Sequence, residues 1–116
     1  MQKKRKEIKM KVVLCYKEFE LGELSQNGDE YIFVPVSGCE LARQRYIIPR
    51  ASALLSGGEK RSNKLFGEYA YFLKILQNNY IKSEANIIGD ETDFEKLEKI
   101  AKLSLDQGSF YIKLRK

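Results

Sequence analysis

Residues 92–114, Thr-Asp-Phe-Glu-Lys-Leu-Glu-Lys-Ile-Ala-Lys-Leu-Ser-Leu-Asp-Gln-Gly-Ser-Phe-Tyr-Ile-Lys-Leu, decide the fold class. Thr92 and Glu95 have the spacing of a capping box, in which each side chain accepts a backbone N–H that the helix end leaves free. Asp93 suits the positive end of the helix dipole. Phe94, Leu97, Ile100, Ala101 and Ser104 then share one helical face, with Glu95, Lys96, Glu98, Lys99 and Lys102 largely opposite. Glu95–Lys99 and Glu98–Lys102 are i, i+4 pairs that add a few tenths of a kcal/mol each. Asp106-Gln107-Gly108 reads as a turn. Phe110, Ile112 and Leu114 alternate with Tyr111, Lys113 and Arg115, which is a half-buried strand with the second set facing water.

Upstream, the period is helical again. Leu65, Phe66, Tyr69, Phe72, Leu73, Leu76 and Tyr80 follow the i, i+3, i+4, i+7 rule. Ser62 reads as the N-cap and Asn78-Asn79 as the stop. Gly67 lies inside that helix at a cost of about 1 kcal/mol relative to Ala. A short turn or helix follows over Ile81–Ile88 and ends at Gly89. Leu55-Ser56-Gly57-Gly58-Glu59-Lys60-Arg61 looks like the signature loop of ABC-type ATPases, but that chemistry needs a G-x-x-x-x-G-K-[ST] phosphate loop, which the chain lacks. The heptapeptide therefore reads as a glycine loop before a helix start. Glu40–Ile48 is a short helical turn or a strand ending before Pro49.

The first third is β. Val12, Val13, Leu14, Cys15 and Tyr16 form an apolar, β-branched run that predicts a buried strand over Lys9–Tyr16. Phe19, Leu21 and Leu24 begin a second strand, whose alternation fails at Gly22, so a bulge or a close backbone approach is expected there. Asn27-Gly28 is a hairpin signal, since both residues tolerate positive φ. Tyr31–Val34 returns, and Pro35 ends the strand or marks an edge. The expected fold is α+β: an antiparallel β-meander over 9–36, two main helices and a C-terminal strand joining the sheet.

Composition sets the remaining bounds. A chain of 116 residues with 43% hydrophobic content fits one globular domain. The formal charge of +5 is local: Lys3, Lys4, Arg5, Lys6, Lys9 and Lys11 against Glu7 supply all of it, and residues 12–116 balance. We therefore divide the chain into a flexible basic arm, 1–8, and a single α+β domain, 9–116. No apolar run approaches the ~20 residues of a membrane span, and Val12–Cys15 is too short for the apolar core of a signal peptide. A cytoplasmic protein with no membrane contact is expected. The chain has no His and only two Cys, which disfavours a structural zinc site and the usual nucleophile–base arrangements. Cys15 reads as a buried thiol and Cys39, after Ser37-Gly38, as a loop thiol, both free. Glu18, Glu20 and Glu23 read as the wet face of a strand, and Phe66, Tyr69, Phe72 and Tyr80 as core rather than a base-stacking row. No catalytic residue, metal or cofactor is expected, and no enzyme activity. The contact candidates are Lys3, Lys4, Arg5 and Lys6 in the arm and Tyr111, Lys113 and Arg115 on the last strand. Basic residues with an interleaved tyrosine on a sheet suit single-stranded nucleic acid as well as an acidic protein partner.

Three segments carry a family resemblance. Leu21-Gly22-Glu23-Leu24 followed by Tyr31-Ile32-Phe33, then Phe72-Leu73-x-x-Leu76, then Asp93-Phe94-x-x-Leu97-x-x-Ile100-Ala101 through Asp106 and Gly108 to Phe110-Tyr111-Ile112, are together similar to the N-terminal subdomain of HipA-family Ser/Thr kinases. The chain departs from that pattern in having Gln77-Asn78 where the family has a proline, a loosely similar Arg50–Leu55, and no Trp. The resemblance implies a stand-alone version of the subdomain, as found in three-part toxin–antitoxin systems beside a shorter kinase. Its implied role is to bind and regulate a HipA-like kinase, with the catalytic residues on the partner. A small basic nucleic-acid-binding protein, and a phage or mobile-element inhibitor acting by protein contact, are the alternatives.

Overall fold

The computed structural model describes residues 10–47, 55, 57–103, 106–107 and 110–115. The arm 1–8 with Lys3, Lys4, Arg5 and Lys6 lies outside the described residues, as do Lys9, Ile48, Pro49, Ser56, Ser104 and Gly108.

The strands β1 (Lys11–Tyr16), β2 (Phe19–Asn27) and β3 (Glu30–Pro35) form the expected antiparallel meander. Helix α1 (Ser37–Arg45) and the short strand β4 (Lys60–Ser62) follow. Helices α2 (Gly67–Ile75), α3 (Asn79–Glu84) and α4 (Asp93–Lys102) precede the hairpin of β5 (Asp106–Gln107) and β6 (Phe110–Arg115). Together these strands form one antiparallel sheet in the order β4-β3-β2-β1-β6-β5, so the C-terminal strand joins the meander beside β1. The fold is α+β.

The meander turns are tight. Asn27 pairs with Glu30, so the turn residues are Gly28 and Asp29, one position later than the Asn-Gly reading. Only Gly28 takes positive φ, at 63°. Between β1 and β2, Lys17 adopts φ 52°, and its ammonium lies 5.6 Å and 5.3 Å from the centres of the Tyr16 and Tyr46 rings.

One face of the sheet carries the core. Val12, Leu14 and Tyr16 of β1, Leu21 and Leu24 of β2, Phe33 of β3 and Ile112 of β6 pack with Ala42 of α1, Tyr69 and Phe72 of α2, and Phe94, Leu97, Ile100 and Ala101 of α4. Tyr69 is fully buried, and its hydroxyl donates to the Val12 carbonyl at 3.0 Å, so helix and strand are joined by a satisfied polar contact. The capping box at the start of α4 is formed in both directions: Thr92 N–H donates to Glu95 Oε1 at 2.9 Å and Glu95 N–H to Thr92 Oγ1 at 3.2 Å.

The helices differ from the sequence reading in four ways. Residues 37–45 are a helix as long as α2, and Cys39 is buried within it rather than in a loop. Ser62 belongs to β4, and its Oγ accepts from Lys64 N–H at 3.0 Å; α2 starts instead at Gly67, behind Phe66, with no side-chain cap. Gly67 is therefore a helix start, not an interior residue. The Asn78-Asn79 stop is also a restart, since the Asn78 side chain accepts from Tyr80 N–H at 2.9 Å and caps α3. That break takes Tyr80 off the α2 face and leaves it 69% exposed, where the aromatic stripe predicted core. Lys60–Arg61, read as a helix start, forms an edge strand.

Candidate interaction surfaces

The open face of the sheet carries the predicted contact residues. Regular alternation puts residues three apart on opposite faces of a strand. A bulge in β2 breaks that rule: Leu14 pairs with Gly22 and Cys15 with Glu20, leaving Leu21 as the additional residue. Glu20 and Glu23 therefore face the same way, opposite the helices. Strand β6 reaches that face with Tyr111, paired with Cys15, and with Lys113, paired with Val13. Strands β2 and β6 flank β1 and stand ~10 Å apart, two strand spacings. Long side chains bridge that gap. Lys113 Nζ lies 2.6 Å from Glu20 Oε2, and Arg115 lies 2.7 Å from Glu23 Oε2 and also pairs with Glu20. Lys11 reaches Glu23 at 3.4 Å. Beneath this bridge Val13 and Cys15 are fully buried.

The electrostatics follow from that arrangement. The guanidinium of Arg115 and the ammonium of Lys113 hold the Glu20 carboxyl below its ordinary value. Burial pushes the Cys15 thiol up to about 11, against the pull of Lys113. Tyr111 donates its hydroxyl to the Lys17 carbonyl at 2.9 Å and is pinned to the β1–β2 turn. The structure thus brings Tyr111, Lys113 and Arg115 together as expected. It also adds Glu20 and Glu23, which neutralise most of the charge: three cations stand against two carboxylates. The sequence carried both glutamates, but their common face depends on the bulge.

A second surface lies in the helix layer. A groove of about 410 Å³ runs between α2, α3 and the start of α4. Leu73, Leu76, Ile87 and Ile88 supply its apolar wall, and Lys82 and Lys96 its cationic rim. The segment carrying Ile87 and Ile88 is held by Glu91, whose carboxylate accepts from the N–H groups of Ile88 and Gly89, both at 3.0 Å. Lys99 Nζ meets the same carboxylate at 2.7 Å and donates to the Asn86 carbonyl at 3.0 Å. The lysine, followed by these amides, lowers the Glu91 carboxyl to about 2. Lys99 thus pairs with Glu91 rather than with Glu95, which the capping box occupies. No residue of this groove was singled out as a contact from the sequence. Its signal was there in Ile87-Ile88, an apolar pair just before Gly89 and off any helical face.

Among the described residues no group of three His, Cys, Asp or Glu side chains could hold a metal ion, and no helix is long and apolar enough to cross a membrane. No family model, curated protein or solved structure matches the chain.

Proposed function

We propose that this chain is a non-catalytic accessory domain, antitoxin-like in role, that binds and regulates a HipA-type Ser/Thr kinase. The supporting observation is that the separated segments carrying the resemblance meet in one core. Gly22 of the first unit lies under the Phe33 ring, where any Cβ would overlap the ring. Leu21, Leu24 and Phe33 share that core with Phe72, with Leu97 and Ile100, and with Ile112. These apolar residues of the matched segments are thus mutually packed, not scattered. The open face fits a protein partner better than a nucleic acid, because Lys113 and Arg115 are engaged by carboxylates and a phosphate backbone would have to displace them.

Co-expression with a HipA-type kinase encoded beside the chain's own gene tests this. A stoichiometric complex with reduced kinase autophosphorylation is expected. A folded domain that leaves the kinase unbound and fully active would remove the reading. Oligonucleotide binding with a steep salt dependence would replace it with the nucleic-acid alternative.

A further inference from the structure

The groove between α2, α3 and α4 combines features that the sheet face lacks. Leu76, 5% exposed, forms its floor, Leu73 and Ile87 are half-buried, and Ile88, 78% exposed, stands on its rim. Among the described residues neither Lys82 nor Lys96 has a carboxylate within ion-pair distance, whereas Lys11, Lys113 and Arg115 on the sheet face are all paired. Among the described residues Asp93 is the one carboxylate lining the groove, at the first turn of α4, where the helix dipole favours a negative charge. The groove is therefore apolar in its wall and cationic at its rim.

We infer that this groove docks an amphipathic helix of a protein partner, with apolar side chains on Leu73, Leu76, Ile87 and Ile88 and flanking carboxylates on Lys82 and Lys96. Charge complementarity sets the sign of the occupant. Backbone accounting sets its conformation. The described walls are helices and the segment between α3 and α4, so no strand edge is offered to an extended chain. The N–H groups of Ile88 and Gly89 are already taken by Glu91. An occupant whose backbone lies on the apolar wall finds no strand edge to pair with, and a helix satisfies its own backbone. The inference deepens the kinase-docking reading and rests on it for the nature of the partner.

The probe is a synthetic amphipathic peptide, longer than the ~12–15 residues below which isolated helices are marginal, with Leu at i, i+3, i+4 and i+7 and Glu beside them. A second peptide carries Lys in place of each Glu. The acidic peptide is expected to shift the amide resonances of Leu76, Ile88 and Lys96. The double variant K82E/K96E, checked for an unchanged circular dichroism spectrum, should weaken its binding by roughly tenfold or more. Equal binding of both peptides, no binding, or shifts confined to Lys113 and Arg115 would overturn the assignment. The kinase reading is tested separately by the same variant. If the wild-type domain and K82E/K96E capture the kinase equally, the groove is not the docking site and the kinase reading stands. If the peptide binds the groove but the wild-type domain leaves the kinase unbound, the kinase reading falls and the groove stands.

Discussion

Gly22 shows how one side chain, or its absence, sets two surfaces at once. Its φ is not in the left-handed region, so the constraint is space: the Phe33 ring occupies the volume a Cβ would need. It also flanks the bulge that turns Glu20 and Glu23 to a common face. Gly22→Ala is expected to destabilise the domain by about 1–3 kcal/mol, the usual range for overpacking a filled core. The measurement is a urea titration at constant slope. Phe33→Leu in the same chain should recover part of that loss, because the two residues share one volume. A neutral Gly22→Ala would mean that the ring is not held over the glycine. The failed alternation at Gly22 was legible in the sequence. That the Phe33 ring excludes a side chain there was not, because the contact depends on the register of β3 against β2.

At the scale of elements, legibility follows the strength of the local signal. Helix α4 and strand β6 were readable because a reciprocal cap, a 3.6-residue period and a two-residue period each point the same way. Strand β4 was not, since Lys60-Arg61-Ser62 has no apolar alternation; it is held by pairing with β3 and by Arg61 reaching Glu30 at 3.1 Å and Glu59 at 2.6 Å. Helix α1 buries only Cys39 and Ala42 and has no side-chain cap, so its pattern is thin. The break between α2 and α3 was hidden because Tyr80 continues the α2 period by coincidence. The Ile87–Gly89 segment depends on one residue, Glu91. Glu91→Ala removes the acceptor of two amides and the partner of Lys99 together. The expected outcome is faster hydrogen exchange at Ile88 and Gly89, with exchange in β1 and β2 unchanged relative to global stability. Unaltered exchange at those two amides would mean that the carboxylate does not hold the segment.

At the scale of the molecule, the titratable groups make stability fall on both sides of neutrality. Glu91 is lowered to about 2 chiefly by Lys99, Glu20 is lowered by Arg115 and Lys113, and Glu18 by its own backbone N–H and by Tyr46. A carboxylate whose folded value is depressed stabilises the fold above its unfolded value and loses that contribution as pH falls through the folded one. Glu68 and Glu98, raised by burial, act in the opposite sense. The three depressed groups include the one large displacement, so the urea midpoint is expected to decline from pH 4.5 down to about 2. On the alkaline side, the Cys15 thiol stays protonated in the folded state up to about 11 against an ordinary value of 9. Its contribution is complete below pH 9 and is lost as pH rises through about 11. Tyr69, raised well above its ordinary value by burial, works in the same direction. Glu91→Gln separates the acid groups: it should lower the neutral plateau and flatten the limb between pH 4.5 and about 2, leaving the alkaline limb in place. A variant with an unchanged acid limb would assign that limb to the Glu20–Arg115 bridge instead.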